Sequence, residues 1–423
     1  MKSVLRASKK FHTLFGVLLA LSFLLPISAG ARVSAVSLAA GKWRASGMRS
    51  VSRYHCSRRH SSRFAHHVRR HGKHSGKTYA RAPQHSQVAV LVESEGGTVV
   101  SELNSDVAFN PASVVKLITA YGVLKNFAPE HRFTTTLYLD GELDEDTGVL
   151  TGDAYIDGLD PDFKSHDAGE FVTELRELGV KRIDGKLFVS PQFSMHWSGN
   201  PLQSGRALAS VLKRNHIALK GQVEVGPVSS TAMRIVTHES EPLKQSLKYM
   251  LAHSINPMAE QMGRCVGGVH KLEEIAQKDA GVSPGSVTLS TASGLGINRV
   301  NAHDMMIVLK ALRKELQGKG LDLNDILPLV GIEAGTMDRR FTAPSERGSV
   351  IAKTGTLATT DGGVSTLAGM ARSDKEDLYF IFFCWKGSIN GFRSQQDRMI
   401  RQLQATRGGP RRFDMNVASE PSL

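Results

Sequence analysis

The stretch Phe109-Asn110-Pro111-Ala112-Ser113-Val114-Val115-Lys116 decides the reading of this chain. Asn suits a helix N-cap and Pro suits the first helical position, so a helix is predicted to begin at Asn110-Pro111. Val114, Leu117, Ile118 and Tyr121 continue it at helical spacing. Ser113 then falls in the first turn, where a backbone N–H lacks an intrahelical partner and is free to serve an oxyanion. Lys116, three residues on, shares its face. A lysine buried near other cations loses its proton and can act as a base toward a serine hydroxyl.

Two further motifs follow in order. Ser254-Ile255-Asn256 is placed between two helices, where a loop can aim both polar side chains into a cleft. Lys353-Thr354-Gly355-Thr356 is placed on a strand. Gly355 lets an extended substrate approach the strand edge. Thr354 and Thr356 are candidates to hydrogen-bond a terminal carboxylate, and the N–H of Thr356 to complete an oxyanion hole. Chance matches accompany the first two patterns, whereas Lys-Thr-Gly occurs once. Ser210-Val211-Leu212-Lys213 reads as a solvated helix face, and Ser388-Ile389-Asn390 falls after the third motif. Ser198-Gly199-Asn200 keeps the order and competes with Ser254, but turn chemistry explains it. The hydroxyl of Ser254 is expected to approach both Ser113 and Lys116, with Lys353 beside it.

Working outward, Val88–Val92 reads as a strand, with Gly96-Gly97 turning into a second one. From 133 to 236 short strand-like runs alternate with helical patterns around Phe171-Leu175-Leu178 and Leu208-Val211-Leu212, predicting an inserted α+β module. Helices are expected over 243–251, 257–269, 302–316 and 393–403, and strands over 349–353, 365–371 and 379–385. The serine-bearing domain therefore takes 87–132 and 237–405, and 406–423 is expected to be a flexible tail. Cys265 and Cys384 are expected to be free thiols.

The formal charge of +13 is misleading until it is located. Residues 31–86 hold thirteen Lys/Arg and no Asp/Glu, and the first thirty add four more cations. The remaining chain has 36 basic residues against 40 acidic ones. The basicity belongs to a tail, which removes the argument for nucleic-acid binding. Lys2, Arg6, Lys9 and Lys10 precede an apolar run from Phe15 to Ile27 and small residues at 28–31, the pattern of a secretory signal peptide over 1–29. That implies export to the periplasm. Residues 30–86 are too poor in large apolar side chains to order themselves and read as a basic tether toward anionic membrane or wall polymers. Their seven histidines match no defined metal spacing.

Beyond the three motifs, 88–401 resembles the class C low-molecular-mass penicillin-binding proteins, the D-alanyl-D-alanine carboxypeptidase/endopeptidase family. Phe109–Lys116 is similar to its F-x-P-A-S-x-x-K segment, and Gly148–Asp153 to its G-x-L-x-G-D. Ser254–Glu260 resembles S-D-N-x-x-A-E, Ser293–Val300 resembles the G-S-G-L…N-R-V segment, and Lys353–Leu357 matches K-T-G-T-L. Ile255 replaces the usual Asp, and Thr291-Ala292 stand where Asp-Gly is usual. The resemblance implies an α+β penicillin-binding/β-lactamase-like transpeptidase fold interrupted by the inserted module. It implies attack by Ser113 on a D-Ala carbonyl of a peptidoglycan stem peptide, with Lys116 as base, Ser254 as proton relay and Asn256 binding the peptide amide. β-Lactams would act as acylating inhibitors, and neither metal nor other cofactor is needed. Two other readings stay open on the same fold: a weak or inactive wall-binding protein, motivated by Ile255 and Thr291-Ala292, and a serine β-lactamase, for which Glu170 and Glu174 are the available but surface-helix carboxylates.

Deleting residues 31–86 is expected to leave cleavage of a soluble D-Ala-D-Ala peptide unchanged while weakening retention on anionic vesicles or walls in a salt-sensitive way. Cosedimentation at low and high salt checks this; equal retention of both forms at low salt contradicts it.

Overall fold

The computed structural model describes residues 87–414; the expected signal peptide, the tether with Cys56, and residues 415–423 lie outside them. Two sheets organise these residues. The first is antiparallel, in the order β10-β11-β12-β1-β2: Val350–Leu357 (β10), Val364–Ala371 (β11), Leu378–Trp385 (β12), Val88–Ser94 (β1) and Val99–Leu103 (β2). The expected hairpin at Gly96-Gly97 joins β1 to β2. Every residue of β1, β11 and β12 is buried, because helices cover both faces of this sheet. Strand alternation sends Ile381 and Phe383 to one face, and Phe380 and Phe382 to the other.

The first face packs on Val115–Asn126 (α1), which is buried from Val115 to Leu124 and so forms the centre of the main core. Around α1 lie Leu243–His253 (α4), Asn256–Cys265 (α5), Val269–Ile275 (α6) and Ala302–Gln317 (α7). The opposite face is covered by Ile389–Ala405 (α8), through Phe392, Ile400 and Leu403.

The second sheet is built from 134 to 239 and has its own apolar core. Thr134–Asp144 (β3) pairs antiparallel with Val149–Gly158 (β4) and with Met233–Glu239 (β9). Short parallel strands extend it: Arg182–Ile183 (β5), Leu187–Val189 (β6), Ala218–Leu219 (β7) and Val223–Val225 (β8). Ala168–Glu177 (α2) and Pro201–Arg214 (α3) pack on it through Phe171, Leu175, Leu208 and Val211. β9 carries this sheet three residues past the boundary expected at 236.

Three expectations need correction. The helix does not begin at Asn110-Pro111. A 3₁₀ turn covers Ala112–Val114, and α1 starts at Val115. The side chain of Asn110 accepts from the N–H of Ala112 and donates to Gly296 O and to Asp361, so it ties loops together instead of capping. The helix expected over 257–269 stops at Cys265, because Gly267 and Gly268 take positive φ before α6 begins. Residues 406–414 are not a loose tail: Pro410 bridges Ser373, and Phe413 is buried under the Arg372 guanidinium.

One glycine makes the close approach beneath Ser113 possible. Gly294 has φ +87°, and a Cβ there would lie 1.9 Å from the carbonyl oxygen of Ala112. Gly285 also has a positive φ, but open space surrounds its Cβ position. Gly285→Ala is therefore expected to cost about 1 kcal/mol, and Gly294→Ala about 3 kcal/mol or more, since overpacking adds to backbone strain. Denaturant unfolding of both variants checks the difference; equal losses contradict it.

Candidate active site

The site forms where the amino end of α1, the α4–α5 junction and β10 converge. Ser113 sits in the 3₁₀ turn ahead of α1, and Ala112 before it is forced to φ +47°. A non-glycine residue in that region is strained and persists only where its surroundings over-determine it. Here they do. Thr366 on β11 donates to Pro111 O at 2.7 Å. Asn110 is anchored to Asp361, which also pairs with Arg299 at 3.0 Å. Gly355 fits against this turn because a Cβ would lie 2.7 Å from Pro111 O and 2.1 Å from the Thr366 hydroxyl.

Lys116 lies one helical turn beyond Ser113 and is fully buried. Its Nζ is 3.0 Å from Ser113 Oγ, 2.6 Å from Asn256 Oδ1 and 2.7 Å from Ser293 O. Burial pulls its pKa down from 10.5 to about 7, against the opposing pull of the Glu260 carboxylate. At that value the neutral amine is well populated. Its two hydrogens match the two carbonyl oxygens, which can only accept, and its lone pair is left for Ser113 O–H.

Ser254 is the C-cap of α4, with φ +57°, and Ile255 precedes the first turn of α5, where Asn256 and Pro257 stand. Ile255 is partly buried against the main core. Lys353 on β10 is fully buried and donates to Ser254 Oγ at 2.9 Å and to Thr354 O at 2.8 Å. Burial, reinforced by the charge of Lys116, holds its pKa well below the ordinary lysine value. The structure thus brings Ser113, Lys116 and Asn256 into one hydrogen-bonded group and Ser254 with Lys353 into a second. The expected hydrogen bonds from Ser254 to Ser113 and Lys116 are absent among the described residues; the left-handed cap turns Ser254 to Lys353. Thr354 Oγ1 reaches Thr336 at 2.8 Å, and Thr356 accepts from Arg393 at 3.1 Å.

The competing patterns lie elsewhere. Asn200 caps α3 by accepting from the N–H groups of Leu202 and Gln203, and Ser198 bonds Asn200 O and Gln203. Ser210 bonds back to Arg206 O on the exposed side of α3. Glu170 lies on α2, bonded to His238. Cys265 and Cys384 are free thiols, and among the described residues no cluster of metal-ligating side chains occurs.

Several contributors were not assigned roles from sequence. Glu260 accepts from the N–H groups of Ala292 and Ser293, which fixes the carbonyl that Lys116 uses. Its position four residues after Asn256, on the same helix face, is the signal for it. Thr291, where Asp is usual, still closes its turn: its hydroxyl accepts from Gly294 N–H at 3.1 Å and donates to Leu295 O at 2.8 Å. Thr336 comes from an irregular loop whose pattern gives no signal.

The sequence profile described as the D-Ala-D-Ala carboxypeptidase 3 (S13) family matches residues 77–198 and 192–405. The chain is 26% identical to carboxypeptidase Rv3627c of Mycobacterium tuberculosis over 357 residues, covering 70% of this chain and 76% of that protein. Among solved structures, penicillin binding protein 4 (dacB) of Haemophilus influenzae superposes with a TM-score of 0.64 at 19% identity, over 75% of this chain and 97% of that one. The penicillin-G-acylated Bd3459 predatory endopeptidase of Bdellovibrio bacteriovorus, in complex with immunity protein Bd3460, does so with a TM-score of 0.63 at 20% identity, over 78% and 95%. These two likenesses show the fold, and the profile shows the family: the chain belongs to the D-Ala-D-Ala carboxypeptidase 3 (S13) family and is a serine-type D-Ala-D-Ala peptidase.

Proposed function

We propose that Ser113 is the nucleophile of this peptidase and that Lys116 is its base. The observation that carries the reading is the set of three contacts around Lys116 Nζ, which leaves its lone pair to Ser113 alone. In the first step Ser113 Oγ attacks the carbonyl carbon of the penultimate D-Ala, and Lys116 takes the hydroxyl proton. The N–H groups of Ser113 and Thr356 receive the oxyanion. As the tetrahedral intermediate collapses, the peptide C–N bond breaks and the leaving amine is protonated through Ser254, which Lys353 orients. An acyl-serine remains, and water hydrolyses it by the reverse proton path. Asn256 holds the substrate amide, while Thr354, Gly355 and Thr356 pair with the extended peptide along β10.

The substrates are peptidoglycan stem peptides, and β-lactams acylate the same serine; the penicillin-acylated Bd3459 shares the fold. Export to the periplasm follows from the signal-like first 29 residues and from this substrate, with the basic segment 30–86 as a tether. A domain division into 87–132 plus 240–414, with the module inserted between, is supported by the separate cores of the two sheets. Peptidase activity is favoured over β-lactamase by the engagement of Glu170 with His238, on α2 of the inserted module.

Ser113→Ala is expected to abolish covalent labelling by a fluorescent penicillin while changing unfolding free energy by less than about 0.5 kcal/mol. Undiminished labelling removes the assignment. The acylation rate should also depend on pH. Below a pKa of about 7 Lys116 is an ammonium with no lone pair, so the rate falls about tenfold per pH unit; above it the rate levels off. The Glu260 carboxylate favours the ammonium, so Glu260→Gln should move this acidic limb to lower pH. Stopped-flow acylation between pH 5 and 9 reads both, and a limb that moves upward contradicts the assignment of Lys116.

A further inference from the structure

The inserted module meets the main domain at the α4–α5 junction, which carries Ser254. In the module's loop between β6 and α3, His196 has φ +53° and Trp197 has φ +59°. Two successive non-glycine residues in the left-handed region are strained, and such strain concentrates where surrounding bonds impose it for a functional reason. Here the bonds lead out of the module. Trp197 O and Ser198 O accept from Gln261 Nε2 at 3.2 and 3.1 Å. Gln261 is a buried residue of α5, five positions past Asn256.

A second contact reaches α4. Trp197 Nε1 donates to Asp162 Oδ1 at 2.7 Å, and the same carboxylate pairs with Lys164 at 2.9 Å. Lys164 Nζ stands 5.1 Å from the centre of the Trp197 ring and 5.7 Å from that of Tyr249 on α4, within the range of a cation–π contact with each. Tyr249 rests on His253, with ring centres 4.8 Å apart, and His253 is the last residue of α4. The module thus holds α4 through Lys164 and α5 through Gln261. From the main-domain side, Lys353 donates to Ser254 Oγ, and the N–H of Thr336 donates to Ala252 O at 3.0 Å. Ser254, left-handed at φ +57°, lies between these contacts. A serine does not favour that conformation by itself, so its hydroxyl points where the two helices put it.

We infer that Lys164 and Gln261 are positioning residues: they let the inserted module fix the α4–α5 junction and, through it, the hydroxyl of Ser254. This rests on the reading of Ser254 as the relay that protonates the leaving amine. Loosening the junction should therefore slow the cleavage of substrates whose leaving group needs that proton, and spare those whose leaving group does not. An amide nitrogen must gain a proton as the C–N bond breaks. A thiol, with a pKa of about 8.5, leaves as the thiolate when a C–S bond breaks.

The test compares two substrates on the purified full chain: a peptide ending in D-Ala-D-Ala, and the thioester that joins the same acyl-D-Ala to 2-sulfanylpropanoate. Ser254→Ala is the reference, with a loss of about 100-fold in kcat/KM on the amide and less than about threefold on the thioester. Lys164→Met and Gln261→Leu should each lower the amide value by about 10-fold or more, the scale of a misplaced proton-transfer group, and leave the thioester within about threefold. Lys164→Arg keeps the cation over both rings and should stay within about threefold of wild type on both substrates. Lys164→Met decides the matter alone if the buried Gln261→Leu does not fold. Equal losses on amide and thioester, or no loss on the amide, overturn this inference and leave the relay standing. If Ser254→Ala itself cleaves the amide at the wild-type rate, the relay assignment fails and this inference with it.

Discussion

The burial of the Lys116 amine among one hydroxyl and two carbonyl oxygens is the constraint on which the site depends. A charged ammonium would be costly in that place, and the environment answers by lowering its pKa to about 7. Much of the surrounding structure serves to hold the three oxygens where they are. Asn256 is fixed by the opening turn of α5. Ser293 O is fixed by Glu260, which gathers two successive backbone N–H groups. Ser113 is fixed by a turn whose first residue, Ala112, is strained, and Thr366, Asn110 and Gly294 hold that turn from three sides.

The strain in this turn and the left-handed Ser254 are of one kind. Each costs on the order of 1–3 kcal/mol and survives because rigid elements meet around it. α1 contributes a helix buried from Val115 to Leu124, so Lys116 has no freedom to leave its partners. The five-stranded sheet contributes β10, whose Lys353 reaches across to Ser254. The inserted module docks nearby: Gln261 on α5 donates to the carbonyls of Trp197 and Ser198, and Trp197 packs against the main core. Its own sheet and core are separate, so insertion leaves the central α1–sheet packing intact.

Sequence patterns made the long elements and the three motifs legible. β1, β11, β12, α4, α7 and α8 follow from periodicity, because each is uniformly apolar or amphipathic, and β2 follows from the Gly96-Gly97 turn. The two-residue strands β5 and β7 are too short to carry a period, and their pairing partners make them strands. The start of α1 misled for a different reason. Asn110-Pro111 has the chemistry of a cap, yet Asn110 spends its side chain on Gly296 and Asp361, 186 and 251 residues away. Long-range bonds of that kind leave no local mark. The same holds for Thr336 and Arg393, whose neighbours on the chain say nothing of Thr354 and Thr356. The departures at Thr291-Ala292 look disruptive in sequence, but the Thr291 hydroxyl closes the turn that a carboxylate could otherwise close.

The account stands on a neutral lysine at the centre of the site, and that can be observed without any substrate. Protein labelled with ¹³C at the lysine ε-carbons should show a resonance that titrates near pH 7 and is missing from Lys116→Met. Exposed lysines should titrate near their ordinary value of about 10.4. If the resonance assigned to Lys116 instead titrates above pH 9.5, the amine is charged at neutral pH, and the base proposed for Ser113 is not one.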